Sequence, residues 1–81
     1  MKGKIEVKLD AVVGHWQAEH NEDLSMLELS KRLDGVSVDF LYRLRAGDIK
    51  RLDMARLAEL CAYFGIQPGD LLVYVPDAPA P

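Results

Sequence analysis

The sequence predicts a mainly α-helical fold of four to five helices, with short N- and C-terminal strands that pair with each other. Four apolar stretches recur with helical spacing, and each begins or ends at a residue that favours a helix terminus. Residues 4–9 and 72–75 are instead typical of strands. The 81 residues suffice for one domain, for which we expect the bounds 1–76, followed by a flexible tail, 77–81.

The first two elements are distinguished by a change of period. Residues 4–9 alternate strictly between polar and apolar side chains, which predicts a half-buried strand from about Gly3 to Lys8. Helical spacing begins at Leu9 and continues to His20, so an amphipathic helix is expected there, with Trp16 in the core.

A helix, a tight turn and another helix follow between residues 24 and 47. Ser25 and Glu28 have the spacing of a capping box, in which each side chain accepts a backbone N–H group of the other residue. The helix that starts there is expected to end near Leu33. Asp34-Gly35 then supplies a residue that enters the left-handed backbone region without steric cost.

The third helix begins after Ser37, a natural N-cap, and stops at Gly47. Its apolar residues Leu41 and Leu44 are expected to face the core. The residues left outside are Val38, Asp39, Tyr42, Arg43 and Arg45, with Phe40 at a margin. The helix therefore carries cations on its free face, which is typical of a helix-turn-helix that reads the major groove of DNA.

A fourth helix is expected between its cap, Asp53, and Gly65, which terminates it. Its buried stripe consists of Leu57, Leu60, Cys61 and Phe64. Residues 67–72 are typical of a short helical turn that starts with proline, and residues 72–75 of a strand that Pro76 closes. Because an isolated two-stranded ribbon is marginal in water, we expect the terminal strands to pair and pack on the helices, leaving an outer edge for a second subunit.

The distribution of charge bears on the choice of partner. The formal net charge is −3, which by itself argues against nucleic acid. From Lys31 to Arg56, however, seven cations stand against four acids, a balance of +3, and all the arginines lie there. Because a phosphate backbone meets the local charge, this segment favours DNA binding. The alternative is that these charges are solvated helix faces and nothing more.

Several short motifs along the chain recur together in one known family. They are Leu24-Ser25, Glu28-Leu29-Ser30, Gly35-Val36-Ser37, Leu41, Leu44, Ala46-Gly47, Leu57, Leu60-Cys61, Phe64-Gly65, residues 67–72 and Tyr74-Val75-Pro76. From Leu9 to about Val75 the chain resembles the Xre family of small bacterial and phage regulators, in particular its short single-domain members. The resemblance implies a lambda-repressor-like helix-turn-helix bundle that binds double-stranded DNA.

Two features depart from the family pattern. The turn formed by residues 33–36 is one residue longer than usual, which is expected to rotate the third helix relative to the second. Many family members also begin the second helix with a glutamine that bonds a phosphate, whereas this chain has Met26, which has no donor. One anchoring contact to DNA is therefore expected to be missing.

The candidate DNA-binding residues fall into two groups. The side chains expected to face the major groove are Ser37, Asp39, Tyr42 and Arg43, and those expected to hold the DNA backbone are Lys31, Arg45, Lys50 and Arg51. Arginine grips a guanine edge with two hydrogen bonds, and tyrosine bonds a phosphate or a base edge. An aspartate fits only a cytosine amino group, while a serine cap can also present its amide to a phosphate.

Each of these residues also has a purely structural interpretation. Phe40 and Tyr42 can pack at the rim of the second helix or on a partner protein. Arg43 and Arg45 can form surface ion pairs with Asp39 or Asp48. For Cys61 we expect a place in the core, where a buried thiol behaves as a small hydrophobe.

Nothing in the sequence predicts an enzyme, a metal site or a cofactor. His15 and His20 lie five residues apart without a further Cys or His nearby, which is not a zinc spacing. A Gly-rich phosphate loop, a nucleophile elbow and a converging pair of acids are all lacking from the sequence.

The expected location is the cytoplasm. A single cysteine, Cys61, cannot form an intramolecular disulfide, and no charged segment followed by a long apolar run opens the chain. The longest apolar run is far too short to span a bilayer, so no membrane association is expected.

The sequence therefore predicts a sequence-specific DNA-binding transcription regulator, with repression as the expected mode. Because one small domain makes few base contacts, a homodimer on a two-fold operator is expected. The alternative is a protein-interaction module, antitoxin-like or anti-repressor, that keeps the helix-turn-helix scaffold without binding DNA. This alternative is favoured by the net acidity, by Asp39, by Met26 in place of a polar anchor and by the exposed pair of Phe40 and Tyr42.

Overall fold

Helices and strands follow one another in the order that the sequence predicts. A computed structural model describes residues 3–76 of the chain, and the predicted flexible tail, 77–81, lies outside these residues. The elements are β1 (Lys4–Val7), α1 (Leu9–His20), α2 (Met26–Arg32), α3 (Val38–Arg45), α4 (Met54–Phe64), α5 (Pro68–Leu71) and β2 (Leu72–Val75). The fold is mainly helical, as predicted.

The two strands form an antiparallel pair, which confirms the predicted pairing of the terminal segments. Ile5 lies opposite Tyr74, and Val7 lies opposite Leu72. The first strand is shorter than predicted, because Lys8, with a φ of −97° and a ψ of 31°, is not extended and is the N-cap residue of α1. Its N–H group still donates to the carbonyl of Leu71, at 2.7 Å. Val7 and Leu72 pack against the helical core, which gives the short ribbon the support that it lacks alone.

The core is built from one fully buried leucine of each helix. These residues are Leu9, Leu29, Leu41, Leu60 and Leu71. Burying a leucine side chain contributes about 1.5–3 kcal/mol relative to leaving it in water, so this cluster accounts for much of the cohesion between helices. Trp16 is buried beside it, as predicted.

Three predicted N-caps are present. The side-chain oxygens of Ser25, Ser37 and Asp53 accept backbone N–H groups of the following helices at 3.1, 3.1 and 3.0 Å. The predicted capping box at the start of α2 is only half formed in the described part of the chain. The Glu28 carboxylate accepts from Arg32 Nε at 3.2 Å instead, because an arginine four residues along the helix is within its reach.

Candidate nucleic-acid interface

α3 buries one face in the core and leaves the opposite face in solvent. Leu41 and Leu44 are 0% and 2% exposed. The residues that lie opposite them, Asp39, Tyr42 and Arg43, are all exposed, and we call them the outer face of α3. Their side chains are thus accessible, as the sequence predicts.

Ser37 stands at the N-terminal end of this face. Its hydroxyl oxygen accepts the Phe40 N–H group at 3.1 Å, and the residue itself is exposed. The hydroxyl therefore serves as the cap of α3 while its hydrogen remains available to a ligand.

Three of the predicted cations line one groove beside α3. This basic groove has a volume of about 570 Å³ and is lined by Phe40, Arg43, Asp48, Ile49, Lys50, Arg51 and Arg56. The lining therefore contains four cations and one acid. Arg56, on the first turn of α4, was counted in the local charge but was not predicted as a site residue, since no spacing along the chain places α4 beside α3.

Arg45 and Lys31 do not line the basic groove. Arg45 Nε lies 3.9 Å from Asp10 Oδ1 on α1, and its guanidinium lies 5.0 Å from the ring of Tyr42. The ion pair of Arg45 is therefore with Asp10 and not with Asp39 or Asp48, the two acids considered for it in the structural interpretation, because the side chain extends from the flank of α3 that faces α1. Lys31 is an exposed residue of α2.

The acid on the outer face engages Arg43 weakly. Asp39 Oδ2 lies 4.0 Å from Arg43 Nη1, and the two side chains are 80% and 59% exposed. An ion pair at this distance in water contributes little, about 0–1 kcal/mol. Arg43 can therefore leave Asp39 at small cost and extend toward a ligand.

Val38 is less exposed than predicted, and Phe40 lies at the margin of the outer face. Val38 and Phe40 are half-buried and pack against the core. The guanidinium of Arg56 lies 5.2 Å from the Phe40 ring and covers it from the side of α4. Phe40 and Tyr42 therefore do not form an exposed aromatic pair, and only Tyr42 belongs to the outer face.

The long turn before α3 is anchored by apolar residues at both ends. Leu33 and Val36 are buried, whereas Asp34 and Gly35 between them are exposed. Gly35 has a φ of +72°, the left-handed conformation predicted for it. From α2, the Ser30 hydroxyl donates to the Val36 carbonyl at 2.6 Å.

Two further hydrogen bonds hold the same turn from α4. The Asp34 N–H group donates to Glu59 Oε1 at 3.0 Å, and Arg56 Nε donates to the Gly35 carbonyl at 3.3 Å. The turn is thus bound to α4, a helix outside the helix-turn-helix itself. No local pattern in the sequence predicts this contact.

Met26, the residue in place of the usual glutamine, has a core role. It is 6% exposed and belongs to the same apolar cluster as Leu29. The first position of α2 is therefore used for packing.

Cys61 and the two histidines make structural contacts. Cys61 is half-buried against the core, and this burial raises the pKa of its thiol, with the negative charge of Asp70 as a smaller cause. His20 stacks on Trp16 at 4.2 Å, and His15 Nε2 lies 3.1 Å from Glu19 Oε1. Among residues 3–76 there is no cluster of three or more His, Cys, Asp or Glu that could hold a metal ion.

Within those same residues, no helix has both the length and the apolarity that crossing a membrane requires.

Comparison with known proteins agrees with the geometry of this interface. A family model described as a Cro/C1-type HTH DNA-binding domain matches residues 19–77, which is more than half of the chain. No curated protein and no solved structure matches the chain. The matched region contains α2, the long turn, α3 and the basic groove. The chain therefore belongs to the family of Cro/C1-type helix-turn-helix DNA-binding domains, as its resemblance to the Xre regulators implies.

Proposed function

We propose that this protein is a sequence-specific transcription regulator that inserts α3 into the major groove of DNA and acts as a repressor. The observation that carries the proposal is the union of two features on one side of the molecule. The outer face of α3 is exposed, and the basic groove beside it collects four cations within a chain of net charge −3. The phosphates of a DNA backbone are the partner that this local concentration of positive charge attracts.

The side chains divide into base readers and backbone contacts. Arg43 lies on both the outer face and the basic groove, so it is the main candidate for a bidentate contact with guanine. Ser37, Asp39 and Tyr42 complete the reading set. The candidates for phosphate contacts, which fix the register without reading sequence, are Lys50 and Arg51 in the groove, Lys31 on α2 and Arg45 on the flank of α3 that faces α1.

Homodimerisation supplies the specificity that one domain lacks. One small helix-turn-helix domain, residues 1–76 in this proposal, touches only a few base pairs, and two copies on a two-fold operator double that number. The half-sites of such an operator lie about 34 Å apart, or a multiple of that distance. Bound at a promoter, such a dimer represses by occupying the site.

Binding to random duplex DNA at low salt tests the first part of this proposal. We expect binding whose logarithmic affinity falls linearly with the logarithm of the salt concentration. Selection from a random library should then return a two-fold sequence, and a mass measurement in solution should give a dimer. Failure to bind any duplex at low salt would remove DNA as the partner.

A protein-interaction module is the second candidate, and Asp39 favours it. This acid is 80% exposed on the face that would meet phosphates, where it repels them. Under this alternative, the outer face of α3 binds a basic surface of another protein. The same low-salt experiment separates the candidates, because the module binds no duplex at any salt concentration.

A further inference from the structure

Two side chains of α4 hold the long turn that leads into α3. Glu59 accepts the Asp34 N–H group at 3.0 Å, and Arg56 donates to the Gly35 carbonyl at 3.3 Å. Residues three apart on a helix lie on one face, so both side chains reach the same turn. We propose that Glu59 and Arg56 are positioning residues that set the orientation of α3 toward DNA. The inference rests on the function proposed above.

The turn controls α3 because the helix is short and packs along one seam. Among its eight residues, Leu41 and Leu44 are buried and Val38 and Phe40 are half-buried against the core, so the packing of α3 is confined to one side of the helix. A bidentate contact from Arg43 to a base edge tolerates little error in distance or angle. The direction from which the chain enters α3 therefore affects which base Arg43 can read.

Asp34 and Gly35 form the exposed half of the turn. Both are exposed, and Gly35, at φ +72°, has no side chain at all. The hydrogen bonds from Glu59 and Arg56 are the polar contacts that the structure gives to this half of the turn. Removing them frees the turn without opening the core.

Arg56 connects the turn to two neighbouring elements. Its Nη1 lies 3.5 Å from Asp53 Oδ2 at the start of α4, and its guanidinium lies 5.2 Å from the Phe40 ring on α3. One planar group thus touches the α4 cap, the turn and α3. A change in this contact is transmitted to α3 directly.

Glu59 distinguishes positioning from simple electrostatics because the two predict changes in different quantities, the discrimination between sequences and the affinity for all duplexes. It is an acid, so its removal makes the chain less negative and strengthens the attraction to any duplex. Positioning instead predicts that discrimination between sequences decreases.

The decisive experiment compares Glu59→Ala with Glu59→Gln. Both variants lose the same charge, but glutamine keeps an oxygen that accepts the Asp34 N–H group. Affinities for the selected site and for random duplex DNA are measured at one salt concentration. We expect Glu59→Gln to keep the wild-type ratio of the two affinities and Glu59→Ala to lower it about three- to tenfold, the factor for one ordinary hydrogen bond. Equal ratios in the two variants overturn the proposal.

Arg56→Lys provides a second test that does not depend on the folding of Glu59→Ala. Lysine keeps the positive charge but lacks the planar guanidinium that bonds Gly35 while covering Phe40. We expect the ratio of selected-site affinity to random-duplex affinity to decrease, because the positive charge of the groove is kept while the guanidinium contacts with Gly35 and Phe40 are lost. An unchanged ratio overturns the positioning role of Arg56, whatever the salt dependence.

Amide exchange separates a failure of this inference from a failure of the proposed function. If the wild-type protein shows no preference among duplexes, the proposed function fails, and the exchange rate of the Asp34 N–H group still reports on the turn. Faster exchange in Glu59→Ala than in Glu59→Gln supports the holding of the turn by Glu59. Equal exchange overturns it.

Discussion

Arg32 on α2 donates a hydrogen bond of 2.8 Å from Nη1 to the hydroxyl of Tyr63 on α4. The same guanidinium bonds the carboxylates of Glu22 and Glu28 and lies 5.6 Å from the ring of Trp16. The hydrogen bond to the Glu22 carboxylate is the largest cause that raises the pKa of Arg32, followed by the hydrogen bonds to the Tyr63 hydroxyl and the Glu28 carboxylate. Arg32 therefore has a structural role at the junction of α1, α2 and α4, on a different side of α2 from the DNA contacts predicted for Lys31.

Tyr63→Phe should destabilise the fold by the value of this one hydrogen bond. The substitution removes the hydroxyl and keeps the ring, which lies 5.8 Å from Trp16. We expect the free energy of unfolding to fall by about 0.5–1.5 kcal/mol. Urea titration followed by the fluorescence of Trp16 measures the change. Tyr42→Phe, on the outer face of α3, is the matched control and should change stability by less than about 0.5 kcal/mol.

A double-mutant cycle tests whether Arg32 is the hydrogen-bond partner of the Tyr63 hydroxyl. In an Arg32→Met background, Tyr63→Phe should have little further effect, because the donor is already gone. The same loss in both backgrounds would contradict the assignment of this hydrogen bond.

Arg43→Ala and Lys50→Ala should affect DNA binding in different ways. Loss of Arg43, the proposed base reader, should cost about 1–3 kcal/mol at the selected site and relax the preference at one base position. Loss of Lys50 should weaken binding to all sequences alike and reduce the salt slope by about 1. Titrations of selected and random duplexes at several salt concentrations distinguish the two. Unchanged binding of Arg43→Ala to the selected site would show that α3 is not the reader.

Asp39→Asn should strengthen binding to random duplex DNA. The carboxylate is exposed beside Arg43, so its loss removes a repulsion from phosphate, and we expect about a two- to fivefold increase in affinity at low salt. Glu19→Gln is the matched control, since Glu19 is an exposed acid on α1 whose ion pair is with His15, a residue outside the proposed DNA contacts. An equal increase in both variants would mean that the outer face of α3 does not face DNA.

The Cys61 thiol should become reactive at a higher pH in the folded chain than in the unfolded chain. Burial raises the pKa of this thiol, with a smaller contribution from the negative charge of Asp70, so the thiolate forms at higher pH in the folded chain than in the unfolded chain. Labelling with a thiol reagent between about pH 7 and 10, with and without urea, measures the difference. Because the fold favours the neutral thiol, its contribution to stability is present below the ordinary thiol pKa and is lost as the pH rises through the raised value. Identical profiles in urea and buffer would contradict this.

The caps and the apolar spacing predicted most of the secondary structure. The helix Leu9–His20 has the predicted bounds, and Ser37 and Asp53 cap the helices that they were predicted to cap. These signals succeed because they act between residues within about one helical turn, where the chain itself fixes the distance. The same local reasoning overstated the capping box at Glu28, because it did not include Arg32 as a competing partner for the carboxylate.

The sequence by itself determined the family, the order of the elements and the exposed face of α3, since each depends on local periodicity or on short motifs. Only the tertiary structure decided which cations lie together in the basic groove. Arg56 joins Arg43 in the basic groove, while Arg45 turns to α1. It also decided that the long turn is held from α4 by Glu59, 25 residues from its partner Asp34. Such distances depend on the packing angles of whole helices, which arise from the buried leucines of all five and from no single stretch of chain.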